Sequence, residues 1–166
     1  MSKGPELRCY DYVNHPYQQV RDALEHDALA VFQSATKAAA SRARSVAAEL
    51  RVDIGGIALE ADIKIHVKDI EEKRANATSV PVTRLQLEWE AARMPYLFPL
   101  MKAALAVYPL TSTETQLDFH GIYKPPLGAV GKAMNAVAGH RIAEVSVHRF
   151  VNEVAGYLRQ SLARRT

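Results

Sequence analysis

Side chains able to do acid–base or metal chemistry are present in this chain, but their spacing does not assemble them. Six histidines, His15, His26, His66, His120, His140 and His148, show no HExxH, no HxH and no pairing with cysteines, the spacings that bring imidazoles onto one ion. His140 and His148 stand eight residues apart, about two turns of a helix and too far to share an ion unaided. No metal is expected. The single cysteine, Cys9, cannot form an internal disulfide, and within a strand it reads as a small buried hydrophobe rather than a reactive thiol. Asp11 is the acid that bears watching. If Leu7, Cys9 and Val13 face inward then so does Asp11, and a buried carboxylate of raised pKa could act as a general base; a surface or capping role is the competing account. Gly55-Gly56 and the Gly128 to Gly131 pair lack the Lys-Ser/Thr of a phosphate loop and a preceding buried parallel strand, so they read as tight turns and no cofactor is expected.

These groups are positioned by elements whose hydrophobic period changes along the chain. Leu7 to Val13 reads as a strand, and Asn14-His15-Pro16 supplies a cap and a proline for a first helical turn. Tyr17, Val20 and Leu24 form the apolar face of a short helix, and Asp27 can cap a second one carrying Ala28, Val31, Phe32 and Ala35. Thr36 to Ser45 is alanine-rich and poor in anchors, so it is expected to fray into a connector. From Val46 the period falls from about 3.6 to 2. Ala48, Leu50, Val52 and Ile54 share one face; Gly55-Gly56 makes a hairpin turn; Ile57, Leu59, Ala61, Ile63, Ile65 and Val67 continue opposite Glu60, Asp62, Lys64, His66 and Lys68. Val46 to Ile54 and Ile57 to Val67 are therefore expected to pair with one wet face. Asp69 to Pro81 reads as a solvated connector with room for a short edge strand.

Further on, Arg84 to Glu90 alternates with Leu85, Leu87 and Trp89 on one face. A strand from Lys102 to Leu110 follows, then a turn at Thr111-Ser112-Thr113, then Thr115 to Tyr123 with Leu117, Phe119, Gly121 and Tyr123 inward. Past Pro125-Pro126-Leu127-Gly128 a long amphipathic helix buries Ala143, Val147, Phe150, Val154, Leu158 and Leu162, while Arg141, Glu144, Arg149, Glu153, Arg159 and Gln160 point elsewhere. Parity thus turns Leu59, Ile63, Trp89, Leu105, Phe119 and Tyr123 towards Phe150 and Val154 of the helix. From Ala48 to Tyr123 the inward positions hold no Asp, Glu, His, Lys or Arg. Only the Tyr123 hydroxyl and the Trp89 indole N–H offer polar atoms there. The apolar segment Met94 to Met101, stiffened by Pro95 and Pro99, is expected to pack beneath a connector or to form a lip over the interior.

Length and composition set the outer bounds. At 166 residues, 48% hydrophobic and 23% charged, the chain suits one domain spanning 1–166, with 1–5 and 164–166 flexible. The net charge of +3 is scattered apart from Arg42, Arg44 and the tail Arg159, Arg164 and Arg165. No basic stripe or motif marks a nucleic-acid partner. No stretch reaches the roughly 18 apolar residues of a membrane span, and no apolar run follows Lys3 as in a secretory signal; a cytoplasmic protein is the expectation.

The order strand, two helices, several antiparallel strands and a long final helix is α+β. Together with Leu87-Glu88-Trp89-Glu90-Ala91, Leu97-Phe98-Pro99, Gly121-Ile122-Tyr123 and Pro125-Pro126-Leu127-Gly128, it resembles the START-like superfamily, also called the Bet v 1-like or SRPBCC superfamily, and within it the polyketide cyclase/dehydrase and lipid-transport group. The resemblance covers nearly the whole chain, Leu7 to Leu162. It implies a helix-grip fold, a curved antiparallel sheet of about six or seven strands wrapped around the C-terminal helix, with two short helices after the first strand. It also implies a cavity between sheet and helix, which Leu59, Ile63, Trp89, Leu105, Phe119, Tyr123, Phe150 and Val154 would line; a tight core made of the same residues is the alternative. The expected partner is a hydrophobic small molecule such as a lipid, isoprenoid or polyketide, bound or carried without catalysis, since the inner faces hold no acid–base or metal constellation. The other functions open to the fold are an aromatase/cyclase-type enzyme and a protein-interaction module.

Overall fold

Alternation in the strands and one apolar stripe on each helix lead to a two-layer α+β arrangement. The computed structural model describes residues 4–49, 63–91, 100–124 and 136–165. They form, in chain order, strand β1 (Glu6–Val13), helix α1 (Tyr17–Glu49), strands β2 (Ile63–Lys73), β3 (Val82–Ala91), β4 (Leu100–Pro109) and β5 (Thr115–Lys124), and helix α2 (Ala136–Ala163). The five strands make one curved antiparallel sheet in the order β1-β5-β4-β3-β2. The Gly55-Gly56 turn, the strand expected from Leu50 to Ile54, Leu59, and the apolar segment from Met94 to Pro99 lie outside the described residues.

Register arranges the inner face in rows that cross the sheet. Ile65, Trp89, Met101 and Tyr123 form one; Val67, Leu87, Ala103, Gly121 and Leu7 the next; Ile70, Leu85, Leu105, Phe119 and Cys9 a third; Glu72, Thr83, Val107, Leu117 and Asp11 a fourth. Directly paired residues of an antiparallel sheet share a face, so each row marks positions on the one face of the sheet that the helices cover. The expected inward parity of Leu85, Leu87, Leu117, Phe119, Gly121 and Tyr123 holds, all of them buried.

Two helices cover that face. Ala143, Val147, Phe150, Val154, Leu158 and Leu162 of α2 are buried, as the periodicity requires, along with Val151 and Ala155. Helix α1 packs along α2 and reaches β2 and β4, while α2 also lies on β1 and β5. At the centre Phe32 stacks on Phe150 with centroids 6.0 Å apart and planes 6° from parallel. Phe119 meets Phe150 edge-on at 5.9 Å and 63°. This aromatic trio joins α1, α2 and the sheet. No helix among the described residues is long and apolar enough to cross a membrane.

Two sequence expectations change. The region after the first strand is two helices meeting at Asp27, as expected, but the second does not fray into a connector: helix continues to Glu49 and takes Val46 to Glu49 away from the strand expected there. Alanine has the highest helix propensity, and the burial of Ala35, Ala39 and Ala40 supplies the anchoring that large side chains would otherwise provide. The break expected at Asp27 is present, with φ −110° and ψ 18° inside the helix. The second change is in β2, which runs on to Lys73 through an irregularity between Val67 and Asp69. An extra residue in one strand reverses its parity, so Ile70 and Glu72 turn inward while Asp69 and Glu71 turn out. The apolar spacing Ile65, Val67, Ile70 was the trace of this bulge in the sequence.

Candidate functional site

The sheet's inner face is closed on one side and open on the other. The inward residues Leu85, Leu87, Met101, Ala103, Leu105, Val107, Leu117, Phe119 and Tyr123 of β3, β4 and β5 are at most 7% exposed, whereas on β2 Val67 is 39% and Ile70 43% exposed. Val67 pairs with Leu87 and Ile70 with Leu85, so these exposed side chains continue the same apolar strip out from beneath the helices. Ile65 beside them is half-buried. An apolar strip that starts in a packed core and emerges at one strand is where an apolar molecule could be taken in.

The expected lining residues fall into three groups. Leu105, Phe119, Phe150 and Val154 are wholly buried and Tyr123 is 3% exposed, and the structure brings them together under α1 and α2. Ile63 and Trp89 have their backbones in β2 and β3, Trp89 in register with Met101 and Ile65, but their side chains lie outside the described residues, as does the whole of Leu59.

Polar contacts gather where α2 crosses β1 and β5. The Tyr123 hydroxyl lies 2.9 Å from His140 Nδ1, and Cys9 Sγ lies 3.3 Å from His148 Nδ1. Arg159 Nη2 donates to Asp11 Oδ1 at 3.0 Å and also to the Tyr12 carbonyl, its guanidinium 5.6 Å from the centre of the Tyr12 ring. Asp11 does turn inward, half-buried, and its carboxylate is held in an ion pair that ties α2 to β1. His140, His148 and Arg159 make these contacts from positions on α2 that no local spacing in the sequence marks.

Burial governs the protons here. Desolvation, with the Asp11 and Asp118 carboxylates adding to it, pushes the Cys9 thiol up to about 11, and burial likewise raises the Tyr123 phenol. Both keep their protons at neutral pH, so Cys9 is not a nucleophile there. The folded protein holds the thiol proton more tightly than an unfolded chain whose thiol titrates near 9.0. The resulting stabilisation is complete below that value and lost as pH rises through about 11. Urea midpoints are expected to fall between pH ~8 and pH ~10.5 by more in the native chain than in Cys9→Ala; an equal fall in both would remove Cys9 as the cause. Among the described residues no group of three or more His, Cys, Asp or Glu is placed to hold a metal ion.

The curved five-stranded antiparallel sheet with a long C-terminal helix and a helix after the first strand is an α+β, helix-grip-like arrangement. No family profile and no curated protein matches the sequence. Among solved structures the chain is similar to a protein of Thermus thermophilus, with 11% identity, a TM-score of 0.49 and coverage of 95% of this chain and 99% of that one. It is similar as well to the Zhui aromatase/cyclase of a Streptomyces species, with 10% identity, a TM-score of 0.49 and 95% of each chain covered. A third likeness is to Ara h 8.0201, with 7% identity, a TM-score of 0.42 and coverage of 93% of this chain and 97% of that one. Likenesses this distant carry nothing about what this chain does.

Proposed function

We propose that this chain binds or carries a hydrophobic small molecule of the lipid, isoprenoid or polyketide kind between the sheet and its helices. The observation behind the reading is the apolar inner face that surfaces at Val67 and Ile70, 39% and 43% exposed beside the buried Leu87 and Leu85. Burial of apolar area, at about 25 cal/mol per Å², would drive uptake. Leu105, Phe119, Phe150 and Val154, packed with no exposed surface, would part to form the floor; Tyr123, with Leu59, Ile63 and Trp89, would line the remainder, and the Tyr123 hydroxyl would orient a polar end.

A neutral apolar fluorophore such as diphenylhexatriene tests this. Val67→Lys combined with Ile70→Lys is expected to weaken uptake by about tenfold, roughly 1.4 kcal/mol, with little change in thermal midpoint because both side chains are exposed. Asp11→Asn should leave uptake nearly unaltered, since an apolar ligand needs no charge to hold it. Uptake indifferent to the lysine pair would sink the proposal. One observation favours a cyclase-type reading: the Tyr123–His140 pair could pass a proton to a carbonyl substrate. Loss of ring closure of a poly-β-ketone in Tyr123→Phe, with binding intact, would replace carriage by catalysis.

A further inference from the structure

Between α1 and α2 runs a groove of about 730 Å³ lined by Ser41, Arg42, Arg141, His148, Arg149 and Asn152 among others. Among the described residues three guanidiniums border it, and Glu144 is the one carboxylate in its lining. Arg141 is 3.9 Å from Glu144 and Arg149 2.8 Å from Glu153, with the two arginine side chains 59% and 52% exposed. Ion pairs this exposed are weak and readily exchanged for a better acceptor.

His148 sets the character of the groove. Its Nδ1 faces Cys9 Sγ at 3.3 Å, on the buried side, and Cys9 keeps its proton because burial pushes the thiol up to about 11. When the thiol donates to Nδ1, the imidazole's own proton sits on Nε2, and the ring offers a neutral N–H to the groove it lines. Guanidinium forks from both helices, a ring N–H, a hydroxyl and a side-chain amide form a donor-rich set. Its best match is a group with several acceptor oxygens and two charges, a phosphate, which guanidiniums bind bidentately. A single carboxylate would use half of it.

We propose that the groove between α1 and α2 is a phosphate-binding site, with Arg42, Arg141 and Arg149 supplying the charge and His148 a ring N–H donor. The site shares no lining residue with the apolar face proposed above and does not depend on the apolar-ligand reading. The phosphate could belong to a small soluble molecule or to a phospholipid headgroup.

The test is a titration of the full chain with inorganic phosphate in about 0.15 M NaCl, where exposed charges are screened beyond roughly 8 Å, followed by the ¹⁵N resonances of the histidine rings. Saturable one-to-one binding is expected, with His148 Nε2 shifting and Nδ1 nearly still. Arg141→Gln with Arg149→Gln should weaken binding at least tenfold, the lysine versions should restore part of it, and Arg8→Gln, on β1, should change nothing. All three side chains are exposed, and unchanged circular dichroism confirms each fold. Vesicles of phosphatidylcholine with phosphatidic acid separate the sources: pelleting lost in the glutamine pair assigns a headgroup, and no pelleting assigns a soluble phosphate. Non-saturating binding, binding that vanishes in salt, or equal binding by the glutamine pair would overturn the proposal.

Discussion

Phe150→Ala is expected to destabilise the fold by about 3–5 kcal/mol, the cost of removing a fully packed aromatic ring. Phe150 is 0% exposed, so no water-sized space adjoins it and the substitution leaves a void. Its ring faces Phe32 of α1 at 6.0 Å and Phe119 of β5 at 5.9 Å. Both neighbours would lose dispersion contacts, and neither helix can close the gap without moving against the other. Urea unfolding monitored by circular dichroism measures the effect. A loss near 1 kcal/mol would mean that the site collapses freely or borders open space, and the picture of a packed aromatic centre would have to be given up. Phe32→Leu, which keeps most of the volume, should cost markedly less.

Gly121→Ala is expected to destabilise by about 1–3 kcal/mol, the usual cost of overpacking. A Cβ at Gly121 would stand 3.0 Å from Met101 Sδ, 3.0 Å from the Phe119 ring and 3.3 Å from the Ala103 Cβ. The methionine sulfur can swing aside, since its chain is flexible. The Phe119 ring cannot do so easily, because it is set against Phe150. Gly156 in α2 provides the contrast, as nothing lies within 4 Å of a Cβ placed there. Gly156→Ala should therefore stabilise by about 0.5–1 kcal/mol, the helix-propensity gain of alanine over glycine. Thermal midpoints of the two alanine variants should move in opposite directions. A stable Gly121→Ala would show that the row Leu7, Gly121, Ala103, Leu87 has slack, and that the interior there yields to a guest.

The sequence by itself determined the fold class and most inward faces. Each rests on a local period: two residues in the strands, which put Leu85, Leu87, Leu117, Phe119 and Tyr123 inward, and 3.6 in α2, which buried Phe150, Val154 and Leu158. The kink at Asp27 was legible for the same reason, since a residue that favours capping over helix interior marks itself. Tertiary structure decided what period cannot express. Val46, Ala48 and Leu50 alternate, yet the chain through Glu49 is helical, continuing an alanine-rich helix of high propensity that is anchored by the burial of Ala35, Ala39 and Ala40. The bulge in β2 moved Ile70 and Glu72 to the inner face, a shift that alternation counted one strand at a time does not reveal. Likewise, the contacts of His140, His148 and Arg159 with Tyr123, Cys9 and Asp11 join residues up to 148 positions apart. Such meetings depend on how one element lies across another, and no local spacing in the chain encodes that angle.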